Sequence, residues 1–259
     1  MKRLILFAAF VCFVQIVNAQ RLETSLKEFK LEGKVMELTE FEYYNVDRVD
    51  TSKDAPKTVM KFDEIGNATG KTIYDKYGKV TNNTIYNVAP DKSIMINRYN
   101  SDNQLQNLNK YVFKYDDKGN ETELDNYFGA NLNSLLKHIY RYDVNNNKIE
   151  EDTYSPETDK PAKEISLYNK KNQIVEIDTY DQDYYRFAKS ILKYDSKGNL
   201  VDEDSYDFFG SLIMQDHYSY NKVDKHGNWI LKTCEKRFVV GPQGDHTIKI
   251  VNKRNIKYY

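Results

Sequence analysis

The chain alternates short stretches of mixed apolar and polar residues with strongly polar punctuation. Stretches of roughly six to nine residues, a strand's length, close on a tyrosine followed directly by Asp or Asn, as at Tyr115, Tyr142, Tyr168 and Tyr194. Tyrosine favours strands, while Asp and Asn open turns. The steps between these four tyrosines are 27, 26 and 26 residues, so the chain is built on a repeat. In the clearest copy, Tyr194-Asp195-Ser196-Lys197-Gly198-Asn199-Leu200, Asp accepts a local backbone hydrogen bond and Gly supplies a left-handed residue. That is the chemistry of a type I turn leading into a bulge. The same turn is expected at Asp63–Gly66, Asp75–Gly78, Asp116–Gly119 and Asp224–Gly227. Asparagine replaces the glycine at Asn103, Asn146 and Asn172, and it is the residue that best tolerates positive φ after glycine.

A second turn falls midway through each unit, after Tyr127, Tyr154, Tyr180 and Tyr206. Each unit is therefore two strands and two turns. The expected fold is all-β: an antiparallel meander of repeated β-hairpins, roughly 14–18 strands, curled by strand twist into an open sheet or shell. Residues 20–259 form one domain, regular from about 60 to 230, with atypical ends that cap the stack. Residues 21–29 have room for one or two helical turns. Trp229–Val240 and Thr247–Tyr258 flank Gly241-Pro242-Gln243-Gly244-Asp245 as a hairpin.

Charge repeats with the same period. Lys110, Lys137, Lys163 and Lys189 form one column, and Glu123, Glu150, Glu176 and Asp202 another. Residues two apart share a strand face, so Glu123, Asp125 and Tyr127 point one way. In a meander each acidic strand lies beside a lysine strand, where opposite charges contribute roughly 0.2–1 kcal/mol per pair. These columns either knit a solvated face or present a carboxylate row to cations or sugar hydroxyls.

The first residues read as a targeting segment. Lys2 and Arg3 precede an apolar run from Leu4 to Val17, and Val17-Asn18-Ala19 is a small-x-small cleavage site. Residues 1–19 are thus expected to be a signal peptide, and the run is too short for a transmembrane helix. The phenylalanine and valine before Cys12 are too bulky for a lipobox. Removing Lys2 and Arg3 from 38 basic residues leaves 36 against 39 acidic, a net charge of −3. No basic excess is present to hold nucleic acid, and no transmembrane segment is expected after cleavage. Cys234 alone survives processing, so no internal disulfide is expected.

At Lys193-Tyr194-Asp195-Ser196-Lys197-Gly198-Asn199-Leu200 the chain resembles the tyrosine-aspartate (YD, or RHS-like) repeats of bacterial surface proteins. The resemblance runs from about Phe62 to Asn228. It implies antiparallel strands that can spiral into a shell. The unit is longer than the usual YD spacing, and no toxin module follows the repeats. The chain therefore looks like the short exported YD-repeat proteins of gut and environmental Bacteroidetes, placed in the periplasm, on the outer surface or outside the cell.

Candidate chemistry is sparse. His138, His217, His226 and His246 show no metal spacing, and no nucleophile elbow or phosphate loop is present. No catalytic residue, metal or cofactor is assigned. The carboxylate pairs Glu150/Asp152, Glu176/Asp178 and Asp202/Asp204 recur in every unit, as structural features do. The aromatic residues of the second turns are the better lead: Tyr127, Phe128, Tyr184, Tyr185, Phe187, Phe208 and Phe209. Aromatic faces suit protein interfaces and sugar rings. The expected role is an exported, non-enzymatic binding or structural protein of the cell envelope, recognising a protein partner or glycan through these loops and a sheet face. The alternative is an envelope polysaccharide hydrolase using a carboxylate pair. Oligomeric state and ligand identity stay open.

Overall fold

The structure is a computed structural model that describes residues 25–27, 29–44, 55–129, 131–239 and 245–259. The signal peptide expected at 1–19 lies outside the described residues, as does most of the loop preceding Pro56. Sixteen strands follow one another: β1 Val35–Tyr44, β2 Lys57–Phe62, β3 Ala68–Tyr74, β4 Val80–Val88, β5 Ile94–Asn100, β6 Leu105–Tyr115, β7 Glu121–Phe128, β8 Ser134–Tyr142, β9 Lys148–Tyr154, β10 Ala162–Tyr168, β11 Ile174–Tyr180, β12 Arg186–Tyr194, β13 Leu200–Asp207, β14 Leu212–Val223, β15 Trp229–Phe238 and β16 His246–Tyr258. Each is antiparallel to the next. No helix forms among the described residues, and residues 26–27 and 29–30 make turns instead of the helical turns expected near 21–29.

The turns explain the repeat. In the turn after β12 the Asp195 carboxylate accepts the backbone N–H groups of Lys197 and Asn199, each at 2.9 Å. The Asn199 side-chain amide donates to its second oxygen at 2.9 Å. Gly198 sits at φ +88. Asp116 with Asn120 and Asp143 with Asn147 repeat this set of bonds. The asparagine after the glycine is thus a ligand of the turn's aspartate. The register shifts just before the tyrosine that ends β6, β8, β10 and β12. Two of these tyrosines tie neighbouring hairpins: the hydroxyl of Tyr142 donates to the Glu121 carbonyl at 2.7 Å, and that of Tyr168 to the Lys148 carbonyl at 2.8 Å.

The sheet is not open. β1 pairs with β16 along its length, from Val35 opposite Tyr258 to Tyr44 opposite Ile250, closing a 16-strand barrel. This overturns the expectation of a curled open sheet or shell. Three side-chain contacts bridge the seam: Arg254 Nε to Glu40 at 2.8 Å, Asn252 to Glu42 at 3.3 Å, and Lys257 to Glu37 at 2.7 Å. Closure removes both unpaired edges.

Alternation sorts the strand residues into two walls. Leu38, Met60 and Ile96, each at most 2% exposed, belong to the inward set. Following the register from them places Glu40, Lys71, Tyr111, His138, Glu151 and Tyr218 inward as well. Two apolar clusters lie inside: Leu31, Val35, Leu38, Met60, Phe62 and Ala68 at one end, and Ile94, Ile96, Tyr111 and Leu124 along the wall. The segment before β1 packs Leu26 and Phe29 onto the first cluster. Leu26 N–H donates to the Gly66 carbonyl, and Glu32 N–H donates to Asn228, so this segment bridges the β2–β3 and β14–β15 turns.

Candidate functional site

The outward wall carries the charge columns. Lys137 Nζ lies 2.7 Å from Glu123 and 3.3 Å from Asp125. Arg141 and Lys163 both pair with Glu150 and Asp152, and Lys189 lies 2.7 Å from Glu176. Of the expected carboxylate pairs, Glu150/Asp152 and Glu176/Asp178 are therefore held by cations. Asp202 meets His217 at 2.8 Å, and Asp204 accepts from Gln215 at 2.9 Å. A membrane-spanning barrel presents an apolar belt at these positions.

The aromatic candidates gather at one rim. The turns after β7, β11 and β13 lie at the same end of the barrel, opposite the Asp195 and Asp116 turns. Phe208 and Phe209 pack edge to face with centroids 5.0 Å apart, and Phe209 is 77% exposed. On the preceding hairpin loop, Tyr184 and Tyr185 are also exposed, while Phe187 is half-buried in β12. Tyr127 and Phe128 are half-buried at the end of β7. They stand two hairpin loops away, so the rim brings together Tyr184, Tyr185, Phe208 and Phe209 but not Tyr127 and Phe128.

These loops are less variable than their sequences imply. Asp181 and Asp207 each accept two backbone N–H groups, as Asp195 does. Gly210 fills the left-handed position after Asp207, but after Asp181 that position holds Tyr184 at φ 63. A bulky side chain there costs roughly 1–2 kcal/mol against glycine.

The inward wall holds polar residues that the repeat pattern does not single out. A cavity of about 720 Å³ runs between β1–β3 and β14–β16, reaching from Glu42 and Pro56 to Phe29 and Lys30. Trp229 stands in it with the Arg254 guanidinium 3.5 Å from its ring centroid and Lys232 Nζ at 4.8 Å. Lys232 also lies 5.4 Å from the Tyr218 ring. Burial lowers the pKa of Lys232, with Glu40 and Glu42 opposing and Arg254 adding to the shift.

Two further clusters line the inside. His138 Nδ1 lies 2.9 Å from Glu151 and 3.1 Å from Thr153. Burial alone would raise Glu151, but the His138 hydrogen bond and the Lys148 charge bring it down to about 2. Glu203 pairs across the sheet with Asp216, which Lys236 Nζ meets at 2.5 Å. Burial and then Asp216 push the Glu203 carboxyl up. Glu203 sits between Asp202 and Asp204, and Glu151 between Glu150 and Asp152. Strand alternation was the signal that could have separated these inward residues from their outward neighbours. Cys234 is buried behind Tyr218, and burial pushes its thiol up to about 11, which suits a structural role.

No protein-family description and no curated protein matches this chain. Among solved structures, a porin-like protein from Bacteroides uniformis ATCC 8492 aligns over 88% of this chain and 98% of its own, at 8% identity and a TM-score of 0.37. A structure of TcdB2-TccC3 aligns over 71% of this chain but 13% of its own, at 12% identity and a TM-score of 0.22. A TEV variant of it gives 78%, 14%, 11% and 0.29. The functional reading therefore rests on the barrel's own residues.

Proposed function

We propose that this chain is an exported, non-enzymatic binding barrel of the cell envelope, related to YD-repeat proteins, that recognises a glycan or protein partner through its aromatic rim. The observation that carries the reading is the exposed group Tyr184, Tyr185, Phe208 and Phe209 on two adjacent hairpin loops. Tyr184 is held in a left-handed conformation that costs stability, and such strain gathers at ligand-binding positions. The ion-paired outer wall supports a barrel standing in water. Charged residues on a lipid-facing wall would each be destabilising.

The test is a glycan array and an envelope-protein capture with wild type and a Phe208→Ser/Phe209→Ser double variant. Capture that the variant loses, with an unchanged melting temperature, is the expected result. Binding that survives the double substitution sinks the rim reading.

One observation favours a hydrolase as the second reading. Glu203 is held toward its protonated form beside an Asp216 that is ion-paired to Lys236, the polarity an acid and a base require. Glu203→Gln should then abolish release of reducing sugar from envelope polysaccharides. No release by wild type removes this reading.

A further inference from the structure

The rim reading leaves the lumen unused, yet the lumen holds a compact cationic cluster. We propose that the cavity between β1–β3 and β14–β16 is a second binding site, taking an acidic saccharide of two or three rings whose carboxylate or sulfate sits between Lys232 and Arg254. The proposal rests on the glycan branch of the function above.

Three features of the site point to this ligand. First, the cations are set in place before any ligand arrives. Trp229 carries Arg254 and Lys232 on its ring system, and Glu40 fixes the Arg254 Nε. Cation–π contacts hold both cations against the ring face, and Lys232 makes its contact with no carboxylate among the described residues within ion-pair distance. Second, cations gather on the lining: Lys30, Lys57, Lys71, Lys232 and Arg254 stand there beside Glu40 and Glu42. Burial disfavours the ammonium of Lys232, so an anion beside it offsets that cost. Third, the size and remaining lining suit a sugar. A volume of about 720 Å³ lies within the roughly 300–1,000 Å³ of small-molecule sites. The cavity wall includes the phenols of Tyr218 and Tyr220, groups able to exchange hydrogen bonds with sugar hydroxyls.

Trp229 is the only tryptophan in the chain, so its fluorescence reports the site directly. Trigalacturonate, a sulfated trisaccharide and a neutral trisaccharide would be titrated into the full-length protein. Saturable change of emission with either acidic sugar and none with the neutral one is expected; which acidic sugar responds names the anion. Lys232→Met should weaken the response roughly tenfold. If that variant does not fold, wild type decides. Raising ionic strength from about 0.1 M to about 1 M shortens the screening length from about 10 Å to about 3 Å, and affinity should fall with it. The Phe208→Ser/Phe209→Ser variant should bind in the lumen like wild type, which separates failure of this site from failure of the rim. Equal response to neutral and acidic sugars, no response from wild type, or an affinity indifferent to both Lys232→Met and salt overturns the proposal.

Discussion

At the scale of single residues, the turn aspartates do most of the specifying. Each organises five residues by accepting two backbone N–H groups, joined at Asp63, Asp116, Asp143 and Asp195 by an asparagine amide, and the left-handed residue completes the turn. Gly198→Val should cost about 1–2 kcal/mol from backbone conformation. For a chain of this size that lowers Tm by roughly 2–8 °C. A Cβ at Gly198 would also approach Gln173 at 3.3 Å, whereas one at Gly119 meets nothing within 4 Å. Gly119→Ala therefore isolates the backbone cost, and an unchanged melt for both variants would count against the turn assignment. Inside the barrel, Glu151 sets a pH dependence. Its folded-state pKa, about 2, is below the ordinary 4.5. The associated stability is present above pH 4.5 and is lost as pH falls toward about 2. Urea melts across this window should show wild type losing stability and Glu151→Gln losing less. Parallel curves would remove Glu151 from the account.

At the scale of elements, the repeat makes hairpins and the ends make the barrel. Most interior hairpins share the aspartate turn or its asparagine form, yet none of them closes the sheet. Closure falls to β1 and β16, whose facing residues are more than 200 positions apart, as in Glu40–Arg254 with a separation of 214. Deleting residues 246–259 removes β16 and exposes the edges of β1 and β15. Unpaired edges recruit other strands. The truncated chain should therefore associate beyond the state of the full chain, as read by light scattering after size exclusion. A truncated form with the same mass state and the same melt would show that closure does not hold the sheet.

At the scale of the whole molecule, the charged outer wall bears on the environment proposed for the barrel. Lysine and carboxylate columns cover the outside, while the inside combines two apolar clusters with aromatic residues and charged groups such as Glu151, Glu203, Lys232 and Arg254. Exposed surface ion pairs contribute little each, about 0–1 kcal/mol, so their importance is in what they exclude. In a liposome flotation experiment the barrel should stay in the aqueous fractions, and it should remain dispersed without detergent. Flotation with neutral vesicles would mean that the outer wall meets lipid after all.

By itself the sequence determined whatever depends on neighbours along the chain. Turn chemistry at Asp195 and Gly198, strand lengths between tyrosines, and the facing of Lys137 toward Glu123 all follow from local geometry or from one hairpin. The aromatic rim was legible for the same reason, since loop tips are local. What only the tertiary structure decided depends on pairing across the full length of the chain. Whether twist ends in an open sheet or a closed barrel turns on the fit of Val35–Tyr44 to His246–Tyr258, and no local pattern encodes that fit. Closure also gives the strands an inside. Glu203 and Asp202 look alike in sequence, but alternation sends one into the lumen and the other onto the outer wall. Trp229, Lys232, Arg254 and Glu40 become one site only because the first and last strands meet.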